Sequence, residues 1–208
     1  LNLEIQFWTS RGWGVVDVNY GGSTGFGRAY RDRLMNNWGV VDVDDCAKAA
    51  ESLINCGKAD KDCIAIDGSS AGGFTSLACL SFTNIFKVGS CRYGVTDLIA
   101  MSNTTHRFEA NYLNYLIGDL SNKSKFYYSR SPLNNAEKIT SPVIFFQGIN
   151  DKVVLPSQTI EMVNALKRNN VPVDLKMFAD EGHGFQDSLV KIDVLKSTYE
   201  FFHKYLDC

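Results

Sequence analysis

The chain has 208 residues, of which 45% are hydrophobic and 21% charged, a composition typical of one compact globular domain with a sizeable core. Its formal net charge is -2, and the Lys and Arg residues are scattered along the chain, which argues against nucleic acid as a partner. No apolar run approaches the roughly 20 residues that span a bilayer, so we expect no membrane partner.

The six cysteines include no C-x-x-C pair and no cluster with histidine at the spacing of metal ligands. We therefore expect no metal site and no cofactor, and we expect buried, reduced thiols in a cytoplasmic protein. The chain starts with Leu1 inside an apolar segment, so we also expect it to be the C-terminal part of a longer protein.

Strand and helix patterns alternate along the chain. Residues 1–7 fit both a strand of period two and one face of a helix, and the pattern favours neither. The β-branched run at 15–18 predicts the first strand, and the apolar stripe at 43–54 predicts a helix that ends at Gly57. Further strands are predicted at 63–67, 88–92, 142–147 and 173–177, and further helices at 74–80, 160–166 and 189–206. This alternation predicts one α/β domain over 1–208, with a mostly parallel five-stranded sheet and helices on both faces.

A glycine-flanked serine lies between a predicted strand and a predicted helix. The pentapeptide Gly-Ser-Ser-Ala-Gly at 68–72 matches G-x-S-x-G and makes Ser70 the candidate nucleophile, whereas Ser69 is out of register. Glycines suit such a sharp turn because they leave room beside the serine. The alternative is a glycine-rich turn that only connects the two elements or binds an anion at the helix N-terminus.

A serine hydroxyl needs a base within hydrogen-bond reach, and the base needs an acid to orient it. His183 follows the last predicted strand in a glycine-containing loop, whereas His106 lies in an irregular polar stretch and His203 on the C-terminal helix. Asp151 follows the strand at 142–147, which gives the chain order Ser, Asp, His; Asp97 is the second candidate acid.

These residues predict an acyl-transfer mechanism. His183 removes the Ser70 proton as the hydroxyl oxygen attacks a carbonyl, and Asp151 holds the imidazole in the required tautomer. Water then hydrolyses the acyl-enzyme. The backbone N–H of Ala71, directly after the nucleophile, is the predicted donor to the oxyanion.

Four motifs extend beyond these residues: Asn-Tyr-Gly-Gly-Ser-Thr-Gly-Phe-Gly-Arg at 19–28, Trp-Gly-Val-Val-Asp-Val-Asp-Asp at 38–45, Gly-Ser-Ser-Ala-Gly-Gly at 68–73 and Gly-Ile-Asn-Asp-Lys-Val-Val at 148–154. With them the chain resembles, over essentially its whole length, the hydrolase domain of the prolyl oligopeptidase family (peptidase family S9). The resemblance is strongest to the dipeptidyl aminopeptidase and acylaminoacyl-peptidase branch.

The resemblance implies an α/β-hydrolase fold, a triad of Ser70, Asp151 and His183, and short peptides as substrates. It also implies a β-propeller upstream in the same chain, which restricts substrates by size. In such enzymes a second oxyanion donor comes from a His-Gly-Gly loop after the third strand, and that loop and the first strands are not in this sequence. A missing strand exposes a sheet edge, at which two copies of the chain can pair as a homodimer.

Three residues near strand ends are candidates for the substrate pocket: Tyr93, Phe108 and Val154. Core packing explains each of them equally well. The triad serves a carboxylesterase as well as a peptidase, and a non-catalytic domain could retain the motif by descent, so these alternatives stay open.

Overall fold

The computed structural model describes residues 1–104 and 112–207. Four strands form one sheet: β1 (Ala65–Ser69), β2 (Val88–Arg92), β3 (Val143–Gly148) and β4 (Val173–Phe178). The strand order is β1-β2-β3-β4, and every neighbouring pair is parallel. The predicted α/β class with a parallel sheet is therefore confirmed.

Nine helices surround the sheet in the described part of the chain. They are α1 (Leu3–Thr9), α2 (Arg28–Arg31), α3 (Val41–Asn55), α4 (Ala71–Phe82), α5 (Leu98–Thr104), α6 (Tyr112–Leu116), α7 (Leu120–Arg130), α8 (Pro156–Arg168) and α9 (Ser188–Tyr205), with 3-10 turns at Asp32–Leu34 and Pro132–Lys138. The end of α3 follows the sequence signal, since Gly57, at φ 69°, lies just beyond it. At the start of α9 the Asp187 carboxylate is the cap and accepts from Leu189 N.

The first residues, which fitted two patterns, form a helix. The Asn2 side chain accepts hydrogen bonds from the backbone N–H groups of Glu4 and Ile5, so it is the N-cap of α1. Trp8, which is 8% exposed, stacks on Phe202 of α9 with ring centroids 5.7 Å apart. The cap and this contact decide between helix and strand in favour of the helix.

The strand predicted at 15–18 is wrong. Residues 13–20 have no regular secondary structure, and Val15 and Val16 are 40% and 53% exposed. A strand needs a hydrogen-bonded neighbour, and within the described residues no strand pairs with this segment or with the outer edge of β1. The sheet therefore has four strands here, where the sequence predicts five.

Two apolar clusters cover the two faces of the sheet. Phe145 belongs to the cluster that contains residues of α3, α4 and α8, whereas Ile144 and Phe146 belong to the cluster that contains Trp8 and residues of α9. Successive side chains of a strand point to opposite faces, so β3 is buried from both sides. This confirms the prediction of helices on both faces.

The described cysteines match the prediction of buried, reduced thiols only in part, since Cys79 and Cys91 are buried and free but Cys56 is exposed. Cys63 forms a disulfide bond, so the expectation that all six thiols are reduced is wrong there. Sequence spacing does not reveal which sulfur atoms meet in space. Within residues 1–104 and 112–207, no group of three or more His, Cys, Asp or Glu side chains is placed to hold a metal ion, and no helix is long and apolar enough to cross a membrane.

Candidate active site

Ser70 lies at the turn between β1 and α4. Its backbone angles, φ 54° and ψ -118°, are ones that residues other than glycine rarely adopt. Its N–H donates to the carbonyl oxygen of Arg92 at the end of β2, with an N–O distance of 2.9 Å. A Cβ atom at Gly68 would collide with the backbone of Gly72. Gly68 is therefore required by the tightness of this turn, whereas a Cβ atom at Gly72 would meet open space.

The structure brings together the three residues that the sequence predicts. Ser70 Oγ lies 2.8 Å from His183 Nε2, and His183 Nδ1 lies 2.9 Å from Asp151 Oδ2. The Asp151 side chain has no exposed surface, whereas the imidazole is 22% exposed. The hydroxyl can thus pass its proton to a ring that a buried carboxylate orients.

Four hydrogen bonds hold the Asp151 carboxylate. Oδ1 accepts from the backbone N–H groups of Val153 and Val154 at 2.9 and 3.0 Å, and Oδ2 accepts from His183 Nδ1 and from Gln147 Nε2, the latter at 3.1 Å. Burial, the largest single effect, raises the pKa of this carboxyl, but the bonds from His183, Val153 and Val154 together lower it below its ordinary value. The acid is therefore held in its charged form.

The loop that carries His183 packs closely against the end of β3. Asn150 N donates to the carbonyl oxygen of Glu181 at 2.9 Å, and a Cβ atom at Gly148 would collide with the Glu181 backbone. The Glu181 carboxylate, in a residue 5% exposed, accepts from the N–H groups of Gln186 and Asp187 at 2.8 Å each. Glu181 thus ties the loop to the start of α9, a role that its sequence position did not suggest.

Tyr93, a predicted pocket residue, packs against the base. Its ring lies edge-on to the His183 imidazole and to Phe185, with centroids 5.0 Å apart in each case. Its backbone has φ 39°, and its N–H donates to the Phe146 carbonyl at 2.7 Å. Val154 has no exposed surface, and its contact with the site is the hydrogen bond that its backbone N–H donates to Asp151 Oδ1. Phe108 lies outside the described residues.

Of the other candidates, the structure describes Asp97 and His203. Asp97 Oδ1 accepts from the N–H groups of Ile99 and Ala100, so this second candidate acid caps α5. The ring of His203 packs edge-on against that of Tyr199 on α9, with ring centroids 4.3 Å apart. His106 lies outside the described residues. His203 is therefore not an alternative base.

Ala71 is the first residue of α4, so its N–H has no acceptor within the helix. The first N–H groups of a helix also carry the positive end of its dipole. This N–H directly follows the candidate nucleophile, and a negative oxygen bound there would be stabilised.

A sequence model described as the prolyl oligopeptidase family matches residues 1–208. The chain is 33% identical over 186 residues to dipeptidyl aminopeptidase BIII from Pseudoxanthomonas mexicana, a match that covers 86% of this chain and 27% of that protein. It is 30% identical over 203 residues to the acylamino-acid-releasing enzyme of Mus musculus, with 94% of this chain and 28% of that protein covered. The chain therefore spans less than a third of the length of these relatives.

A solved structure of a puromycin-hydrolysing peptidase from Mycobacterium tuberculosis superimposes with a TM-score of 0.98 and 44% sequence identity, covering all of this chain and 32% of that one. A puromycin hydrolase structure gives a TM-score of 0.96 with 40% identity over 99% of this chain. The predicted α/β-hydrolase fold is confirmed.

Proposed function

Because the chain belongs to the prolyl oligopeptidase family, we propose that it is the catalytic domain of a serine peptidase that hydrolyses short peptides. The observation that carries the proposal is the continuous hydrogen-bonded series Ser70, His183 and Asp151, with distances of 2.8 and 2.9 Å. A domain that had lost catalysis would be under no constraint to keep these atoms aligned, which argues against a non-catalytic role.

In the proposed reaction, Ser70 Oγ attacks the carbonyl carbon of the scissile peptide bond while His183 Nε2 takes the hydroxyl proton. The carbonyl oxygen becomes negative and accepts a hydrogen bond from Ala71 N. His183 then protonates the leaving amine, the C–N bond breaks, and an ester on Ser70 remains. Water, activated by the same imidazole, hydrolyses that ester and regenerates the serine.

The substrate class follows from the relatives. Proteins named as a dipeptidyl aminopeptidase and as acylamino-acid-releasing enzymes are similar to this chain over most of its length. We accordingly assign it peptides from which a dipeptide or an acylated residue is released from the N-terminus. The same triad hydrolyses esters, so an esterase activity is tested beside the peptidase activity.

The relatives are more than three times as long as the matched region, which supports a further domain in the same protein. We propose that this is an upstream β-propeller that limits substrates to short peptides. A homodimer and a cytoplasmic location remain predictions from the sequence. The disulfide at Cys63 argues against the cytoplasm, where disulfides are rare.

The test is to label the full-length protein with a fluorophosphonate probe and to map the adduct by mass spectrometry. We expect an adduct on Ser70, and we expect Ser70→Ala to abolish labelling and to lower kcat about a million-fold, because the triad acts as a unit. Ser69→Ala is the matched control, since the neighbouring hydroxyl is out of register, and it should label normally. Dipeptidyl and acylaminoacyl anilides are then compared with simple esters; ester turnover without anilide turnover would favour the esterase, and no Ser70 adduct would refute both.

A further inference from the structure

Gln147 is a polar side chain with no exposed surface at the end of β3. Its Nε2 atom donates to Asp151 Oδ2 at 3.1 Å and to the carbonyl oxygens of Gly148 and Val154 at 3.2 Å each. Its Oε1 atom accepts from the hydroxyl of Thr159 at 2.7 Å. Both ends of the buried amide are therefore satisfied, and one end contacts the carboxylate that orients His183.

The surroundings allow only one orientation of this amide. Nε2 faces three acceptor oxygens, so turning the amide over would set Oε1 against all three and leave the two N–H groups with a single acceptor. Thr159, which is 1% exposed on α8, fixes the opposite end with its hydroxyl. The donor end of Gln147 is thus held towards Asp151 by the hydrogen bond that its other end accepts from Thr159.

We propose that Gln147, fixed by Thr159, is a positioning residue for the proposed triad, an inference that rests on the proposed function. Asp151 Oδ2 accepts from both Gln147 and His183, and Oδ1 is occupied by two backbone N–H groups. The Gln147 bond therefore prevents the carboxylate from rotating about its terminal torsion, which is otherwise broad. It also adds a donor to the charged form of the acid, where the low local dielectric makes a hydrogen bond strong.

A purely structural role is the alternative, because Gln147 also closes the turn at 148–154 through two carbonyl oxygens. The two roles are separated by a double-mutant cycle with Asp151→Asn. If Gln147 acts through the carboxylate, its removal costs little once the carboxylate is gone. If it only supports the turn, its removal costs the same factor in both backgrounds.

The experiment measures the second-order rate constant for fluorophosphonate labelling of Ser70 in the full-length protein. This rate reports on the triad without requiring a known peptide substrate. Gln147→Met keeps the length of the side chain and removes both polar ends. We expect it to lower the labelling rate about 10- to 100-fold, as small misalignments of reacting groups do, and by less than about twofold in the Asp151→Asn background.

Thr159→Val provides a milder second variant, which keeps the proposal testable if Gln147→Met does not fold. It leaves the glutamine in place but removes the hydroxyl that orients it, and we expect a loss of about 3- to 10-fold, again only when Asp151 is present. The matched control is Thr198→Val on α9, where an equally buried hydroxyl donates to the Val194 carbonyl at 2.8 Å, away from the site. This control should label within about twofold of the parent protein.

Two results would overturn the proposal while leaving the function intact. One is labelling by Gln147→Met, or by Thr159→Val where Gln147→Met does not fold, within twofold of the parent rate. The other is an equal loss from the substitution with and without Asp151. Absence of a Ser70 adduct in the unsubstituted protein is a different result, because it would refute the proposed function and with it the need for any group that orients Asp151.

Discussion

β3 and the segment at 15–18 both contain runs of apolar residues that favour β-strands, yet only β3 is a strand. β3 is hydrogen-bonded to β2 on one side and to β4 on the other, and all six of its residues are buried. Residues 13–20 have no strand beside them in the described part of the chain, and Val16 is 53% exposed. The comparison teaches that β-propensity marks a segment able to pair, whereas the available partner decides whether it does.

The three candidate catalytic residues each follow a strand that is paired in the sheet. Ser70 follows β1, and its N–H is bonded to the last carbonyl of β2. Asp151 follows β3, and His183 follows β4. The carboxyl ends of parallel strands lie at one edge of the sheet. The parallel pairing of β1, β2, β3 and β4 in that order therefore brings the three loops together. Substitutions of Ser70, Asp151 or His183 should therefore have far larger effects on catalysis than substitutions of the exposed residues 14–17.

The largest difference is expected in catalysis. Asp151→Asn should lower kcat about ten-thousand-fold, or roughly 5.5 kcal/mol of barrier, because an amide holds the imidazole in the wrong tautomer. Asp17→Asn makes the same chemical change in the exposed unpaired segment and should leave kcat within about twofold. Steady-state kinetics on the two variants measure this contrast. A near-normal kcat for Asp151→Asn would mean that another group orients His183.

A second contrast concerns stability. Phe145→Ala removes a fully buried ring from the central strand and should reduce the free energy of unfolding by about 3–5 kcal/mol, through lost burial and the cavity left behind. Val16→Ala should change it by no more than about 0.5 kcal/mol, because the side chain is largely exposed. Denaturant titration of the 208-residue chain measures both. A cost above about 1 kcal/mol for Val16→Ala would indicate that the segment is packed after all.

The same contrast explains what the sequence could predict. β2, β3 and β4 and the three residues Ser70, Asp151 and His183 were accessible because each is marked locally, by an apolar run or by a glycine-rich turn after one. Residues 15–18 were not, because pairing depends on a second segment. Nor were the hydrogen bonds of Gln147 and Glu181, since their partners are loop residues and a residue of α8 that leave no periodic signal in the sequence.

Cys63 belongs to the same group of unpredictable features. A disulfide depends on which sulfur atom the fold brings within bonding distance, and a count of cysteines along the chain does not contain that information. The helix at Leu3–Thr9 was ambiguous for a related reason, because both patterns were present and the contact between Trp8 and Phe202 decided between them.

The smallest expected effect is the contribution of Asp151, which follows β3, to the pH dependence of the unfolding free energy. The folded-state pKa of Asp151 is lowered from its ordinary value of 3.8 because hydrogen bonds from His183 and from two backbone N–H groups outweigh the effect of burial. The unfolded chain therefore takes up this proton at a higher pH than the folded chain does. The resulting stabilisation is complete above the ordinary value and is lost as the pH falls through the folded pKa.

Comparison with Asp151→Asn isolates this contribution from the other carboxylates, because asparagine does not titrate. The difference in unfolding free energy between the parent chain and Asp151→Asn should shift against the parent chain as the pH falls below about 5 and through the folded pKa of Asp151. Urea titrations at each pH measure it. A difference that shifted in favour of the parent chain at low pH would mean that burial outweighs the hydrogen bonds, and the carboxyl would then resemble Asp42, whose pKa burial raises despite its bonds to Thr75 and Gly39.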